Sequence, residues 1–332
     1  VKPLRIHPPK DYAKWARICE HVIRHYTEGW ANGFMWKIEH WEVWNEPEND
    51  IERNQMWTGT WADYCGFYET VSKHLKAKFP HLRIGGYAGC GFYAVTKSLS
   101  YEANKRRFEY LNDCFTNFVA FARERRCPLD FFSFHCYDDP KNYEVQVRYV
   151  RKTLDDAGFK STIISCNEWL PVSGGLGSAE QAAQIAAMLI AMQNGPTDNG
   201  MIYDARCGIS YYAPLFDWSG YKEGALDEIA LRKGYFALLA FNELRKLGKA
   251  VDCFAVGEGV WACAATDGRG VGAILIANVT DGIMPLKIDV GDWRTWTCRL
   301  TDESVTERLT VLPRQLTPHS FVLIRTSSGG HQ

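Results

Sequence analysis

Apolar residues in the first three quarters of the chain follow two different spacings. In some segments they recur every three or four residues, which predicts amphipathic helices, and in others they form short runs that predict buried strands. The predicted helices cover residues 11–26, 57–79, 108–126, 143–157, 178–193 and 230–247, and the predicted strands cover residues 38–44, 82–85, 130–137, 161–169 and 207–213. This alternation is typical of a parallel sheet whose two faces are covered by helices.

The pattern changes after Lys249. The apolar runs become short and are bounded by glycine, aspartate and proline. They cover residues 256–265, 270–279, 284–290, 295–301 and 320–326. Such runs predict antiparallel strands, and we interpret them as a small β-sandwich. The sequence therefore predicts an α/β domain over residues 1–249 and a β-sandwich domain over residues 250–332.

Composition narrows the functional class. The chain has 332 residues, of which 46% are hydrophobic and 14% aromatic, so it can bury a large core. Its 12 tryptophans suit a sugar-binding cleft, because aromatic faces stack on the apolar faces of pyranose rings, although tryptophan is also an ordinary core residue. The net charge of -1, without a long basic block, argues against nucleic acid and anionic membranes as partners.

The 11 cysteines are scattered along the chain. None forms a C-x-x-C pair, and no cysteine–histidine cluster has the spacing of a zinc finger. We therefore expect reduced, mostly buried cysteines, no bound metal or cofactor, and a cytoplasmic location. No apolar run in the sequence reaches transmembrane length.

The string Trp44-Asn45-Glu46-Pro47 closes the first apolar strand. Pro47 lacks the N–H that a central strand would need, so strand pairing should stop there. Glu46 is then expected at the carboxyl end of a strand, where catalytic residues lie in parallel βα folds. The neighbouring indole rings should partly desolvate Glu46 and raise its pKa, which suits a general acid near neutral pH.

A second carboxylate, Glu168, closes another apolar strand as Asn167-Glu168-Trp169. In a closed barrel the carboxyl ends of all strands surround one mouth, so Glu46 and Glu168 can converge there. Two carboxyl groups about 5–5.5 Å apart would favour retaining glycoside hydrolysis.

The segment from Pro8-Pro9-Lys10-Asp11 to Trp44-Asn45-Glu46-Pro47 resembles the clan A glycoside hydrolases, and most of all family 39, the β-xylosidase family. The resemblance implies a (β/α)8 barrel of the TIM type with the acid/base on the fourth strand and the nucleophile on the seventh. Glu46 takes the first of these positions and Glu168 the second. The implied activity is retaining hydrolysis of terminal β-linked sugars, most simply by a β-xylosidase acting on xylo-oligosaccharides, with no metal or cofactor.

The resemblance also implies substrate-binding residues. Asn45 is expected either to hydrogen-bond the sugar 2-OH or to cap its own loop. His135 and Tyr137 alternate to one face of their strand, where the family has a histidine and a tyrosine that line the pocket and hold the nucleophile. The family has a tryptophan as sugar platform where this chain has Tyr212, so either Tyr212 or Trp218 is the expected platform.

The sequence departs from the family in its number of strands. Five strands are predicted before Lys249, whereas a closed barrel has eight, and the three strands that precede the Pro-Pro-Lys-Asp segment in the family are absent. An open sheet would expose an apolar edge. We therefore expect a portion of a longer protein, a separate chain that completes the barrel, or a homo-oligomer.

Two alternatives to a β-xylosidase stay open at this stage. One is a clan A glycosidase for another sugar, namely a β-glucoside, β-galactoside, arabinoside or uronide. The other is a non-catalytic carbohydrate-binding protein, which the many aromatic residues and the incomplete barrel would permit.

Overall fold

The computed structural model describes residues 6–98, 101–202, 214–217, 229–289 and 295–327. Contacts within the chain define two compact units. The first unit comprises residues 1–136, 145–168 and 196–201, and the second comprises residues 137–144, 169–195 and 202–332. These units are drawn differently from the predicted domains 1–249 and 250–332, whose independence stays a prediction.

Helices and strands alternate in the first unit, and most strands of the second follow one another directly. The helices are α1 (Tyr12–Thr27), α2 (Trp61–Lys78), α3 (Tyr93–Thr96), α4 (Tyr101–Glu124), α5 (Pro140–Asp156), α6 (Ala179–Asn194) and α7 (Lys233–Leu247). The strands are β1 (His40–Glu42), β2 (Arg83–Gly85), β3 (Phe131–Cys136), β4 (Ile163–Trp169), β5 (Asn199–Ile202), β6 (Phe216–Asp217), β7 (Ala230–Leu231), β8 (Lys249–Val251), β9 (Val260–Thr266), β10 (Val271–Asn278), β11 (Met284–Pro285), β12 (Thr295–Thr301), β13 (Arg308–Thr310), β14 (Gln315–Leu316) and β15 (Ser320–Ser327).

The first five strands form one sheet in the order β1-β2-β3-β4-β5. Strands β1 and β2 run parallel, with His40 opposite Arg83 and Glu42 opposite Gly85, and β2 pairs in parallel with β3. Every residue of β3 is buried, which explains its almost continuous apolar sequence. The predicted parallel α/β sheet is therefore confirmed. Among the described residues the sheet stays open, and β1 is an unpaired edge.

Two N-terminal caps set where helices of the first unit begin. The Asp11 carboxylate accepts the N–H of Lys14 at 2.8 Å ahead of α1. Thr60 and Asp63 form a reciprocal capping box ahead of α2. Helix α2 therefore begins at Trp61, four residues later than predicted, and Trp57 is buried in the core instead.

The fifth strand of the sheet is β5, which the apolar pattern missed because Asn199 and Gly200 open it. It is fixed beside β4 by Asp198, whose carboxylate accepts the N–H of Ile164 at 2.6 Å. The side chains of Ser165 and Asn199 also hydrogen-bond to each other. The predicted strand 207–213 lies outside the described residues.

The second unit contains a six-stranded antiparallel sheet in the order β13-β12-β15-β10-β9-β8. A core of apolar side chains, among them Ile274, Ile276, Val322 and Ile324, covers one face together with Leu316 of the β11–β14 ribbon. Helices α6 and α7 contact β9 and β10 of the same sheet. The predicted antiparallel strands are present, but the predicted β-sandwich is not confirmed, because the described residues form one full sheet and a two-stranded ribbon.

Two further features concern the chain as a whole. Among the described residues, no helix is both long enough and apolar enough to span a bilayer. The ten described cysteines are all free of disulfides, and eight of them are buried. The cytoplasmic location stays a prediction.

Candidate active site

Three polar side chains of the first unit converge at the carboxyl ends of its strands. Glu46 follows β1, His135 lies near the end of β3, and Glu168 lies near the end of β4. One side-chain atom from each of the three lies within 4.8 Å of the other two. His135 Nδ1 is 2.7 Å from Glu46 Oε1, and His135 Nε2 is 3.5 Å from Glu168 Oε2. The structure thus brings together the two carboxylates, with the imidazole between them.

The backbone around Glu46 is unusual for residues with a side chain. Trp44 and Glu46 both have positive φ, at 77° and 44°. Non-glycine residues rarely adopt this left-handed conformation, and it is concentrated at functional sites. Strand β1 consequently ends at Glu42, before Pro47 and earlier than predicted. The Glu46 N–H donates to the carbonyl of Ala88 at 3.1 Å, which holds the loop against the residues after β2.

The prediction that Glu46 has a raised pKa is wrong in this structure. Burial does raise the pKa of Glu46, but hydrogen bonds and the charge of His135 outweigh it, and the net pKa is lowered. Asn49 Nδ2 adds a hydrogen bond to Glu46 Oε2 at 2.8 Å. Trp44 contributes to the core, because its indole donates to the carbonyl of Met56 at 2.8 Å and its ring packs against Trp57.

His135 is 1% exposed, and burial alone would lower its pKa. The hydrogen bond with Glu46 and the negative charges of Glu46, Glu168 and Glu42 outweigh burial, so the pKa of His135 is raised. An imidazolium between carboxylates is therefore the favoured state. In that state Nδ1 donates a hydrogen bond to Glu46 Oε1 across 2.7 Å.

A third carboxylate, Glu42 of β1, hydrogen-bonds residues of β3 and β4 and was missed in the sequence. Its oxygens accept Asn167 Nδ2 at 3.1 and 3.0 Å, and Ser133 Oγ donates to Oε1. The signal that could have revealed it is a carboxylate inside a strand of a sheet that is otherwise apolar.

A fourth carboxylate, Glu48, is 1% exposed and was also missed. Its Oε1 accepts the N–H of Cys90 at 2.7 Å, whereas Oε2 is buried with no partner among the described residues. Burial raises the pKa of Glu48 to about 8, so this side chain is mostly a neutral acid at pH 7. It anchors the loop after Glu46 as an uncharged group.

The remaining predicted substrate-binding residues are Asn45, Tyr137, Tyr212 and Trp218. Asn45 is half-buried directly before Glu46, and Tyr137 is half-buried directly after β3. Tyr212 and Trp218 both lie outside the described residues, so the structure assigns no sugar platform.

The triad contains atom types that bind divalent metals, but its arrangement is that of an ion-paired acid–base group. Each ring nitrogen of His135 faces a carboxylate oxygen, and an imidazolium has no lone pair to offer a metal. No step of the chemistry proposed below uses a metal.

The sequence and the fold can both be compared with known proteins. Residues 4–157 match the family described as glycosyl hydrolases family 39. The chain is 30% identical over 150 residues to the β-xylosidase of Geobacillus stearothermophilus. That alignment covers 45% of this chain and 25% of the relative, so the matched segment spans only a quarter of that enzyme.

The fold resembles solved glycosidases over almost the whole chain. A glucosidase from Croceicoccus marinus matches with a TM-score of 0.70 and 17% identity, covering 98% of this chain and 76% of that one. A family 39 β-xylosidase from Caulobacter crescentus matches with a TM-score of 0.65 and 18% identity, with the same coverage. The predicted resemblance to family 39 of the glycosyl hydrolases is therefore confirmed, and in sequence it is carried by residues 4–157.

Proposed function

We propose that the protein is a retaining glycoside hydrolase that releases terminal β-linked sugars. The observation that carries the proposal is the separation of Glu46 and Glu168, which place one carboxylate oxygen each within 4.8 Å of the other. Retaining enzymes have carboxyl groups about 5–5.5 Å apart, whereas inverting enzymes separate them by about 6.5–9.5 Å to admit a water molecule. The short separation therefore favours a double displacement.

In the first step, a Glu168 oxygen attacks the anomeric carbon while Glu46 protonates the departing glycosidic oxygen. The bond from the anomeric carbon to the aglycone oxygen breaks as the bond to Glu168 forms, which yields a glycosyl-enzyme ester and a free alcohol. In the second step, Glu46 removes a proton from water, the water oxygen attacks the anomeric carbon, and Glu168 leaves as a carboxylate. Asn45 is the proposed partner of the sugar 2-OH.

His135 supplies the proton that Glu46 needs for the first step. The pKa of Glu46 is lowered and that of His135 is raised, so a proton shared by the two favours His135. Transfer from Nδ1 to Oε1 across 2.7 Å would make Glu46 the acid and leave Glu168 as the ionised nucleophile. The histidine therefore keeps the two carboxylates in different protonation states during the reaction.

Within this class, a β-xylosidase acting on xylo-oligosaccharides is the first candidate. It is supported by the β-xylosidase relative that is 30% identical to part of the chain and by the similar fold of a family 39 β-xylosidase. A β-glucoside, β-galactoside, arabinoside or uronide substrate is the alternative, and the glucosidase of similar fold keeps it open. Rates on a panel of aryl glycosides of these sugars would choose between them.

The experiment that tests the catalytic assignment compares Glu168→Ala with Glu46→Ala in the intact protein. Both variants should lose nearly all hydrolysis of an aryl β-xyloside or of the best panel substrate. Azide should rescue Glu168→Ala with an α-glycosyl azide as product, because it attacks from the vacated nucleophile side. It should rescue Glu46→Ala with a β-glycosyl azide, because it attacks the ester from the opposite face.

Two results would refute this assignment. The first is full activity in either variant, and the second is the same anomer of the glycosyl azide from both variants. Sugar binding by the intact wild-type protein without any turnover would instead indicate a non-catalytic carbohydrate-binding protein.

We also propose that the free edge of β1 pairs with further parallel strands that complete a barrel. Strand β1 is the end of its sheet among the described residues, and exposed apolar side chains precede it, with Met35 75% and Trp36 53% exposed. Unpaired edges beside apolar surface are rare in stable monomers. The solved glycosidases of similar fold have about a quarter of their length without a counterpart here.

The test is to express residues 1–332 alone and together with a polypeptide that carries three βα units of the family. Co-expression should give a soluble complex with higher activity. A soluble, fully active 332-residue monomer would contradict the proposal, and so would a homo-oligomer that buries β1 against a second copy of the chain.

A further inference from the structure

We propose that Glu42 is a positioning residue that fixes the locations of both Glu46 and Glu168. The proposal rests on the proposed function, because it assigns Glu42 a part in the reaction of those two carboxylates. Glu42 does not need to touch the substrate for this role. It acts through two separate chains of hydrogen bonds, each of which ends at one carboxylate.

The first chain of hydrogen bonds runs through Asn167 to Glu168. Asn167 Nδ2 lies 3.1 and 3.0 Å from the two oxygens of Glu42. The Asn167 Oδ1 atom is buried and has no hydrogen-bond partner among the described residues, so Glu42 provides the polar contact that orients this amide. Glu168 is the next residue of β4, and a shift of Asn167 would be transmitted directly to its backbone.

The second chain runs through Ser133 and Ala88 to Glu46. Ser133 Oγ donates to Glu42 and accepts the N–H of Ala88 at 2.9 Å. The carbonyl of Ala88 in turn accepts the N–H of Glu46 at 3.1 Å. The left-handed turn that presents Glu46 is therefore linked to Glu42 through Ser133 and Ala88.

The sheet leaves space for Glu42 to reach β3 and β4. On β2, the residue opposite Glu42 is Gly85, and Gly86 follows it. A Cβ on Gly86 would lie 3.2 Å from the carbonyl oxygen of Val43 and 3.6 Å from Glu42 Cγ. Gly86 places no side chain beside Glu42, and the Glu42 carboxylate crosses β2 to meet Ser133 and Asn167.

The charge of Glu42 acts on the same group. Desolvation raises the pKa of Glu42 above its ordinary value. Its hydrogen bonds with Ser133 and Asn167 and the charge of His135 offset only part of this rise. In return, Glu42 is one of three carboxylates whose charges raise the pKa of His135. Loss of Glu42 should therefore both loosen the geometry and weaken the imidazolium.

The decisive experiment compares Glu42→Leu with Glu42→Gln in the intact protein. Leucine removes both chains of hydrogen bonds. We expect kcat to fall by about 100-fold, because a displacement of about 1 Å at a reacting centre has this effect. KM should change by less than about threefold. Glutamine keeps a carbonyl acceptor for Asn167 or Ser133, so it should retain kcat within about tenfold of wild type. The matched control is Ser165→Ala, which removes another side-chain hydrogen bond of β4 that reaches neither carboxylate.

A second readout does not depend on turnover. The His135 ring is titrated by NMR in wild type and Glu42→Gln, and the pKa of His135 should be lower in the variant. If Glu42→Leu does not fold, Ser133→Ala tests the Glu46 chain alone and should lower kcat with little change in KM. A folded Glu42→Leu with wild-type kcat, or an unchanged His135 titration, would overturn the proposal and leave the proposed function intact. A wild type that hydrolyses no glycoside would refute the function, and the titration would still decide the role of Glu42.

Discussion

The two sheets of this protein differ in what they place at their centres. The parallel sheet of the first unit buries Ser133 and His135 in β3 among phenylalanines, and the exposed Glu42 of β1 hydrogen-bonds Ser133. The core of the antiparallel sheet in the second unit consists of aliphatic side chains and a cysteine, with Ile274 and Val322 among them. Buried polar groups are costly unless fully paired, so a cluster of them inside a sheet indicates chemistry. We therefore expect the first sheet to carry the proposed hydrolysis and the second mainly to stabilise the fold.

The substitution Glu168→Gln tests this difference between the sheets with the largest expected effect. If the first sheet carries the chemistry, hydrolysis should fall by on the order of 10⁴-fold or more, because the amide cannot form the glycosyl ester. The unfolding midpoint should change far less than the rate, because the amide keeps the size and shape of the half-buried Glu168 side chain. Steady-state kinetics and urea unfolding measure the two effects, and Glu52→Gln, an exposed carboxylate, is the control.

The converse change is Leu275→Ala in β10, where the side chain is fully buried. The cavity should lower the free energy of unfolding by about 2–5 kcal/mol. Activity per folded molecule should be unchanged at low temperature if this sheet serves stability. Leu309→Ala in β13 is the control, because Leu309 is 74% exposed and its loss should have almost no effect. A selective loss of kcat in folded Leu275→Ala would contradict the division of roles.

His135 should make the stability of the first unit depend on pH. The raised pKa of His135 means that its contribution is fully present below the ordinary histidine pKa and is lost as pH rises through the folded value. The lowered pKa of Glu46 has the opposite consequence, since its contribution is present above the ordinary glutamate pKa and is lost as pH falls through the folded value. Unfolding free energies from pH 3 to 9 should fall at both ends of the range in wild type. His135→Asn should reduce the loss at alkaline pH, to which Glu48 also contributes.

Glu48→Gln tests a buried carboxylate of the first unit through the pH dependence of stability. Because burial raises the pKa of Glu48 to about 8, the unfolded state ionises first, and wild type loses stability as pH rises from the ordinary glutamate pKa to that value. Glutamine has no such loss. The difference in unfolding free energy should therefore shift in favour of the variant by at most about 1.4 kcal/mol per pH unit over this range. Parallel curves for the two proteins would show that Glu48 is ionised in the folded state.

Much of the first sheet could be predicted from sequence because its strands are short apolar runs bounded by helices. The end of β4 and the approach of Glu168 to Glu46 follow from the shared direction of parallel strand ends. Strand β5 could not be predicted, because the polar side chains at its start hide the apolar pattern. Its place is fixed by Asp198 and Asn199, whose partners on β4 are distant in sequence.

The electrostatics of the site were harder to predict than its position. The sequence suggested that indole rings would raise the pKa of Glu46, because Trp44 is its near neighbour in the chain. In the fold, Trp44 turns into the core, and His135, which is distant in sequence, becomes the dominant neighbour of Glu46. The role of Glu42 was hidden for the same reason, since its partners Ser133 and Asn167 come from other strands.

The measurement that tests the central claim most directly is the configuration of the first sugar released. Proton NMR during the early hydrolysis of an aryl β-glycoside by the intact protein would report which anomer appears before mutarotation. Glu46 and Glu168, with oxygens within 4.8 Å of each other, should yield the β-anomer first through two displacements. The α-anomer as the first product would mean a single displacement by water and would contradict the roles given to both carboxylates.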